Sequence, residues 1–388
     1  MKILHVITRL MLGGAQENTV LSCMDMMREN GDDVLLVTGP PLGSEGDLIP
    51  FARKGGVPME LIPELRRSIH PARDLIAYRK IKRAIKNFQP DVVHTHSAKA
   101  GLLGRAAAWK LGVPAVLHTV HGAPFHPYQN GISRSFFRKC ERWSARRCHH
   151  IISVADAMTD LLVAANVAPR EKFTTIYSGM EIEPFLNSGH LRESVRRELG
   201  YKPEHVVIGK LARLFHLKGH KYLFRAARPI IEQCPNVRFL LVGSGILWRR
   251  FEDEVQEAGL SDYFQFLGLA PRERIPELLA AMDIVVHLSL REGLARVLPQ
   301  ALLAGKPVVS YDIDGAREVV ITDQTGYLLP PESQEPLVDA IVQLASDPAL
   351  RDRLGAEGRR RCEPLFDHRE MSRQIRTIYE KIVGQGSP

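Results

Sequence analysis

The sequence predicts an α/β protein built from two doubly wound parallel sheets, one after the other along the chain. Short apolar runs typical of buried strands alternate with segments of helical periodicity throughout. The length of 388 residues suits two domains of ordinary size. Glycines and polar residues follow several of the apolar runs, and ligands bind at that edge of a parallel sheet.

The first domain is predicted to cover residues 1–182. Its predicted strands are buried apolar runs at 3–8, 34–38, 92–95, 115–119, 151–154 and 174–177. Its predicted helices show apolar residues at helical spacing and lie at 16–28, 73–88 and 98–111.

The second domain is predicted to cover residues 190–367, after a polar connecting segment at 181–201. Its predicted strands repeat the pattern of the first domain at 206–211, 239–242, 264–267, 284–288, 308–310 and 326–329. The segment 368–384 has apolar residues at helical spacing and predicts a final helix.

The amino-acid composition indicates a globular protein without a membrane-spanning segment. Hydrophobic residues make up 45% of the chain and charged residues 25%, as in ordinary globular proteins, and no apolar run is long enough to span a membrane. The first residues resemble a signal peptide, but Arg9 interrupts the apolar stretch, so a first strand and a cytoplasmic protein are expected. Five cysteines without a C-x-x-C pair indicate free thiols in a reducing compartment.

Gly13 and Gly14 follow the first predicted strand and open a helix. A glycine turn lets the backbone approach a ligand, and the amides at a helix N-terminus favour phosphate. A tight turn without a ligand is the alternative. The later pair Gly243 and Gly245 lacks the third glycine of a dinucleotide fingerprint, which argues against a dehydrogenase.

Arg213 and Lys218 follow the first strand of the second domain, in the segment LARLFHLKG. Arginine offers phosphate a planar fork of donors, and lysine offers a mobile point charge. Together they could neutralise a diphosphate. Alone, such residues are usually solvated, so the interpretation depends on the polar turns of residues 291–320.

Residues 291–320 read REGLARVLPQALLAGKPVVSYDIDGAREVV. Glu292 and Gly293 lie at a turn after a strand, a short helix follows, and a further strand leads to a second glycine turn at Gly315 with Glu318 just beyond. Polar groups are confined to the turns, at the edge where parallel sheets bind ligands.

Histidines close two strands of the first domain. His94 and His96 share one face of their strand, and His118 and His121 lie in the next. No carboxylate or thiolate accompanies them at ligand spacing, so no metal is expected. Histidines that bond only to the backbone are the alternative.

These motifs, in this order, resemble retaining glycosyltransferases of family 4. The family pattern reads roughly E-G, then a hydrophobic residue, and later G-x-P-V-V, and Glu292 matches its first acid. The family's G-R-L and K-G motifs correspond to 212–214 and 218–219, the first with an alanine in place of the glycine. The resemblance implies the GT-B architecture, in which two domains face a central cleft and the last helix packs back on the first domain. It also implies a nucleotide-diphosphate sugar as donor and no divalent metal or other cofactor.

The resemblance further implies roles for individual residues. His121 would reach the transferred sugar, Arg213 and Lys218 would neutralise the leaving diphosphate, and Glu292 would hold hydroxyls of the donor sugar. Helix N-terminal amides near Gly14 and Gly315 would assist. The residues implied to bind the donor through backbone or side chain are Gly13, Gly14, Gly268, Leu294, Ala295, Arg296, Val297 and Gln300.

Gln300 departs from the family pattern, which has a second glutamate here to grip the ribose hydroxyls. An amide loses the charge-assisted hydrogen bond, at a cost of about 1 kcal/mol. Two alternatives to a transferase stay open: a nucleotide-sugar epimerase of similar shape, and a non-catalytic relative that binds sugar nucleotides. No second carboxylate is identifiable as a nucleophile, which favours front-face attack for the retaining reaction.

The net charge is +8, and the basic residues cluster in the first domain. Residues 66–86 contain eight basic residues and one acid, and 134–147 form a second basic stretch with interleaved aromatics. A solvated face is one interpretation, and docking on an anionic membrane surface is the other. The predicted partners are the donor and a saccharide or lipid-linked acceptor, with a peripheral location on the inner face of the membrane. Nucleic acid is not expected, since no nucleic-acid motif accompanies the charge.

Overall fold

The computed structural model describes residues 1–42 and 46–384. These residues divide into two units. The first consists of Met1–Met180 together with the described residues from Phe366 onward, and the second consists of Glu181–Leu365. The chain therefore leaves the first unit once and returns to it.

The first unit contains one seven-stranded parallel sheet. Its strands are β1 (Lys2–Ile7), β2 (Asp33–Thr38), β3 (Met59–Leu61), β4 (Val92–His96), β5 (Ala115–Val120), β6 (His150–Ser153) and β7 (Phe173–Thr175). Its helices before the crossover are α1 (Gly14–Asn30), α2 (Ile49–Lys54), α3 (Pro71–Phe88), α4 (Ala98–Lys110), α5 (Gly131–Ala145) and α6 (Asp156–Ala164). The strand order is β3-β2-β1-β4-β5-β6-β7, so the direction of winding reverses between β1 and β4.

Local sequence explains where several helices begin and end. Pro71 stands at the first turn of α3, where a missing N–H is not needed. The Asn130 side chain accepts a hydrogen bond of 2.8 Å from the Ser133 N–H and caps α5. Gly31 ends α1 with φ 62°, a left-handed conformation that glycine adopts without strain.

The second unit contains a six-stranded parallel sheet. Its helices are α7 (Glu183–Leu186), α8 (Arg192–Glu198), α9 (His220–Gln233), α10 (Trp248–Glu257), α11 (Ile275–Ala281), α12 (Val297–Leu303), α13 (Glu335–Ser346) and α14 (Pro348–Cys362). Its strands are β8 (Val206–Leu211), β9 (Val237–Val242), β10 (Phe264–Gly268), β11 (Ile284–His287), β12 (Val308–Tyr311) and β13 (Gly326–Leu329). The order β10-β9-β8-β11-β12-β13 reverses between β8 and β11.

The last helix, α15 (His368–Gly384), packs on α1 in the first unit. Met371, Ile375 and Tyr379 form its buried face. The hydroxyl of Ser372 and Nδ1 of His368 donate to the buried carboxylate of Asp25. Apolar burial and a paired carboxylate therefore both fix this helix.

The prediction of two doubly wound parallel sheets is confirmed, with differences in detail. The edge strand β3 is three residues long, and such a short strand leaves no alternating pattern to detect. The segment 181–201 is not only a connection, because α7 and α8 lie in it and belong to the second unit. Arg192 and Arg196 of this segment form ion pairs with Asp283 at 2.5 and 3.0 Å. None of the described helices combines the length and apolar character that a membrane span requires.

Candidate active site

The candidate phosphate and sugar ligands of the second unit follow two neighbouring central strands. Arg213 and Lys218 lie after β8, and Glu292 lies after β11. The sheet order reverses between these two strands, so the chain leaves them toward opposite faces and opens a crevice at their carboxyl ends. The topology therefore explains why residues far apart in sequence meet at this point.

Backbone contacts fasten the two loops to each other. The Leu290 N–H donates to the Leu217 carbonyl at 2.9 Å. Gly219 has φ 67°, and a Cβ there would lie 1.8 Å from the carbonyl oxygen of Leu288. Only glycine permits both this conformation and this close approach. The glycine of the Lys218–Gly219 pair is therefore required by packing.

Lys218 and Glu292 form an ion pair between the two loops. The two side chains are 20% and 21% exposed. The Glu292 N–H donates to Oδ2 of Asp314 at 2.6 Å, and Nε2 of His287 lies 3.7 Å from the Glu292 carboxylate. Groups from three segments thus hold Glu292 in place.

The electrostatics of this pair keep Glu292 ionised. Burial acts to raise its pKa, but the charge of Lys218 and the imidazole of His287 outweigh burial and hold the pKa well below its ordinary value. Glu292 is therefore a carboxylate at neutral pH and can only accept hydrogen bonds. That state suits the recognition of hydroxyl groups.

Lys210 is a third cationic residue in this region, and the sequence interpretation did not identify it. It lies within β8 and is 1% exposed, and its Nζ has no hydrogen-bond partner among the described residues. Burial, followed by the charge of Lys218, lowers the pKa of Lys210 to about 7 against the opposing effect of Glu292. The one available signal was a charged residue inside the apolar run VVIGKL.

The remaining predicted donor ligands of the second unit lie around the same edge of its sheet. Arg213 is exposed, with its guanidinium 5.1 Å from the centre of the Phe215 ring. Gly268 ends β10 with φ 80°, and its carbonyl accepts the Gly243 N–H at 2.8 Å. The half-buried residues at and before α12 are Leu294, Ala295, Arg296, Val297 and Gln300.

Amides near Gly315 were predicted to assist in holding phosphate. The N–H of Gly315 itself is already engaged, since it donates to the Gly293 carbonyl at 3.0 Å. The residues Asp314–Glu318 form a 3-10 helix instead of the start of an α-helix. This amide therefore fixes the turn after Glu292.

In the first unit, α1 begins at Gly14, directly after Gly13. The backbone at Gly13 is extended, with φ 172°, so its conformation does not demand glycine. What glycine contributes is the absence of a side chain at the start of a helix, where the dipole favours an anion. The predicted role of this turn in binding phosphate therefore depends on the space that glycine leaves for an anion, and not on a backbone conformation that only glycine adopts.

The histidines of the first unit form a cluster at the carboxyl ends of β4 and β5. His121 is half-buried, and its Nε2 lies 3.2 Å from Nδ1 of His96. The rings of His94 and His96 are 4.3 Å apart between centroids, as their shared face predicted. His5 on β1 joins the cluster, and the sequence interpretation missed it because it lies within the apolar run KILHVI.

The chain has two doubly wound sheets, and the second carries cations and a carboxylate at the point where its strand order reverses. This combination is typical of enzymes that bind nucleotides through their phosphates. The family model "Glycosyl transferases group 1" matches residues 192–361, and the model "Glycosyl transferase 4-like domain" matches residues 14–179. The chain belongs to this family of nucleotide-sugar-dependent glycosyltransferases. It is an enzyme of the hexosyltransferase type.

Its relatives include hexosyltransferases with different donors. It is 30% identical over 295 residues to the UDP-Gal:alpha-D-GlcNAc-diphosphoundecaprenol alpha-1,3-galactosyltransferase of Escherichia coli, covering 74% of this chain and 75% of the relative. It is 27% identical to the GDP-mannose-dependent alpha-mannosyltransferase of Mycobacterium tuberculosis, covering 93% of each chain.

Two solved structures show the fold. Anabaena Alr3699/HepE in complex with UDP-glucose superposes with a TM-score of 0.82 at 22% identity, over 98% of this chain and 100% of the other. Sucrose-phosphate synthase of Thermosynechococcus elongatus superposes with a TM-score of 0.83 at 20% identity, over 100% of each. The GT-B fold predicted from the motifs is thereby confirmed.

Proposed function

We propose that this glycosyltransferase moves a hexose from a nucleoside-diphosphate sugar to a hydroxyl group of a saccharide or lipid-linked acceptor and retains the anomeric configuration. The second unit would bind the donor, and the first unit would bind the acceptor. The observation that carries the proposal is the Lys218–Glu292 ion pair at the switch point of the second sheet. This ion pair places a cation that can bind phosphate beside a carboxylate that can accept hydrogen bonds from hydroxyl groups.

The leaving group requires cations. As the bond between the anomeric carbon and the phosphate oxygen breaks, its electron pair goes to that oxygen, and negative charge grows on the diphosphate. Arg213 and Lys218 would stabilise this charge in the transition state more than in the ground state, which is the condition for catalysis. No described residue needs to give up a proton for this step.

Glu292 and Lys218 would exchange partners when the donor binds. In the free enzyme each neutralises the other. With the donor bound, Lys218 would turn to the phosphate and Glu292 would accept hydrogen bonds from sugar hydroxyls. Glu292 is ionised in the free enzyme, and hydrogen bonds from hydroxyls to a carboxylate are charge-assisted and stronger than neutral ones.

The retained configuration would follow from front-face attack. The acceptor oxygen forms its bond to the anomeric carbon on the side that the diphosphate leaves, and the hydroxyl proton passes to the departing phosphate oxygen. The backbone around Leu294 and Val297 would line the sugar and phosphate, Gly13 and Gly14 would lie near the diphosphate and acceptor, Gly268 near the base, and Gln300 near the ribose. Nothing in this scheme requires a metal.

Two relatives suggest which substrates to test first. The name of the Escherichia coli relative specifies a UDP-sugar and a diphosphoundecaprenol acceptor, and that of the Mycobacterium tuberculosis relative specifies GDP-mannose. A lipid-linked acceptor would also agree with the basic segments of the first unit, which we expect to contact an anionic membrane surface.

The test is a matrix of donors and acceptors. UDP-galactose, UDP-glucose, UDP-N-acetylglucosamine and GDP-mannose are each incubated with the enzyme, with or without polyprenyl-diphosphate sugar or free saccharide. We expect nucleoside diphosphate and a glycosylated acceptor to appear together, with an α-linkage from an α-configured donor. A donor sugar that changes its stereochemistry without any acceptor would indicate an epimerase, and binding without turnover across the matrix would indicate a non-catalytic relative.

A further inference from the structure

Three histidines of the first unit form a hydrogen-bonded chain that leads from the core to His121. Nδ1 of His5 lies 3.0 Å from Nε2 of His96, and Nδ1 of His96 lies 3.2 Å from Nε2 of His121. His5 and His96 are 0% exposed, whereas His121 is half-buried. We call these residues the histidine chain.

The inner rings of the histidine chain are neutral. Burial lowers the pKa of His5 to about 3. Burial, with neighbouring histidines as a smaller cause, also places the pKa of His96 well below its ordinary value. A neutral imidazole carries one proton, so one nitrogen donates and the other accepts. In every contact of the histidine chain the donor must therefore lie on the same side, either the side of His5 or the side of His121.

The inner end of the histidine chain sets this direction. Nε2 of His5 is buried and has no hydrogen-bond partner in the part of the chain that the structure describes. Unpaired buried N–H groups are rarer in proteins than unsatisfied acceptors. Nε2 of His5 is therefore the bare nitrogen, and its Nδ1–H donates to Nε2 of His96. Nδ1–H of His96 then donates to Nε2 of His121.

We infer that His5 and His96 are positioning residues that hold His121 in the tautomer with its proton on Nδ1. The functional part of this inference rests on the proposed function and on the contact between His121 and the transferred sugar that the family resemblance implies. In this tautomer Nε2 of His121 is occupied as an acceptor, and Nδ1 carries an N–H. With no ring nitrogen left to accept a further hydrogen bond, His121 does not take the proton of the acceptor hydroxyl, and any hydrogen bond between its ring and a sugar oxygen is donated by His121.

A metal site is the competing use of these rings. One ring nitrogen from each of His5, His94 and His96 lies within 4.8 Å of the others. The nitrogens of His94 already contact the hydroxyls of Tyr379 and Thr119, and both nitrogens of His96 lie in the histidine chain. Hydrogen bonds thus account for all of these nitrogens except Nε2 of His5, and a metal would have to displace them.

The test reads the tautomer of His121 directly, without any sugar. In protein labelled with ¹⁵N-histidine, the ¹⁵N chemical shifts distinguish protonated from bare ring nitrogens, and His121→Gln assigns the signals. We expect a protonated Nδ1 and a bare Nε2 on His121 in the wild type. A proton on Nε2, or a stoichiometric metal in elemental analysis of the purified protein, would overturn the inference.

Variants at the inner end extend the test. In His5→Asn the amide nitrogen stands near the position of Nδ1 and can still donate to His96, so the tautomer of His121 should persist. His5→Phe keeps the ring but removes the donor, so the two tautomers of His121 should mix and kcat should fall by up to about tenfold, with rescue in His5→Asn. His118→Asn, at a buried histidine outside the chain, is the matched control and should leave the tautomer unchanged.

The two parts of the inference fail separately. If His5→Phe leaves the His121 tautomer as in the wild type, the positioning role of His5 is wrong whatever the enzyme transfers. If the tautomers mix but transfer is unchanged, the histidine chain is correct and the contact between His121 and the sugar is wrong. The wild-type spectrum decides the direction of the chain even where a variant does not fold.

Discussion

The two units place different chemistry at the same point of the same kind of sheet. In each unit the winding reverses beside the first strand, and the loops at that point carry the candidate residues. The second unit gathers charged groups there, the ion pair of Lys218 and Glu292 and the buried Lys210. The first unit gathers histidines there, among them the buried, neutral His96 and its neighbour His121.

The difference shows how burial and pairing select the charge state. Burial without a counter-charge lowers the pKa of His96 and keeps it neutral. Glu292 is also largely buried, but the neighbouring ammonium of Lys218 keeps it ionised. Cations suit a diphosphate, whereas both a carboxylate and neutral imidazoles can form hydrogen bonds with the hydroxyls of a sugar. Variants of both units can break or sharpen this contrast.

The largest effect is expected where the second unit loses a phosphate cation. Arg213→Ala and Lys218→Ala should each lower kcat/KM for glycosyl transfer by about tenfold to a thousandfold, as for the loss of a charged transition-state contact of about 2–4 kcal/mol. Lys221→Ala removes an exposed lysine at the start of α9 and serves as the matched control. Wild-type turnover in a folded Arg213→Ala/Lys218→Ala double variant would refute the assignment.

The same variants should differ in stability. The sequence predicts little effect on folding for either, because both lie in a loop. The structure changes this expectation for Lys218, since its loss leaves the carboxylate of Glu292 without its ion-pair partner. Thermal unfolding should therefore show a lower Tm for Lys218→Ala than for Arg213→Ala. Lys218→Ala/Glu292→Gln should recover part of the Tm but none of the activity.

Lys210→Met tests whether the buried charge of Lys210 destabilises the second unit. The pKa of Lys210 falls from 10.5 to about 7 on folding. Below pH 7 the lysine is protonated in both states and folding buries the charge at full cost, whereas above pH 10.5 it is neutral in both. Lys210→Met should therefore raise the free energy of unfolding by on the order of 3 kcal/mol near pH 7. This gain should shrink as pH rises toward 10.5, and an equal gain at all pH values would contradict the shift.

The fold and the gathering of charged residues at one edge of the second sheet both have local signals in the sequence. Apolar runs marked β8 and β11, and turn glycines next to Lys218 and Glu292 marked the loops after them. Strand ends in parallel sheets gather at one edge, so the meeting of these residues also followed.

The sequence could not predict the interior of either site. His5 and Lys210 each lie within a strand that is buried on both faces, where no alternation of polar and apolar residues shows the direction of a side chain. Their roles depend on which groups lie within reach, and only the three-dimensional arrangement provides that. The amide of Gly315 is similar, because its bond to Gly293 follows from the packing of two turns.

Binding to lipid vesicles tests whether the exposed basic residues of the first unit contact an anionic membrane. On α5 three exposed cations accompany Ile132 and Phe136, which are 86% and 52% exposed. Cations contribute about 1 kcal/mol each near an anionic surface, and exposed apolar side chains can insert beside them. Replacing Arg134, Arg138 and Lys139 with glutamine should therefore weaken co-sedimentation with anionic vesicles at least tenfold at low salt.

The comparison is with Arg79, Arg83 and Lys86 on α3, in the other basic segment of the first unit, which are also exposed and also replaced with glutamine. We expect a smaller loss there, since Leu75 and Ile76 on α3 are only 49% and 42% exposed. Binding of the wild type should fall as salt shortens the screening length below about 8 Å. Equal recovery in neutral and anionic vesicles would leave both segments as solvated faces and favour a soluble acceptor.

The smallest effect is expected at Gln300, on α12, eight residues after Glu292. If the second unit recognises nucleotides through charge, Gln300→Glu should strengthen the hydrogen bonds to the ribose hydroxyls by about 1 kcal/mol and lower the Kd for nucleoside diphosphate about fivefold. Isothermal titration calorimetry measures this, with Gln256→Glu on the exposed face of α10 as a control for the change in net charge. A structure with nucleoside diphosphate in which residue 300 points away from the ribose would exclude the contact. Tighter binding in Gln256→Glu as well would show that net charge, and not the ribose, is responsible.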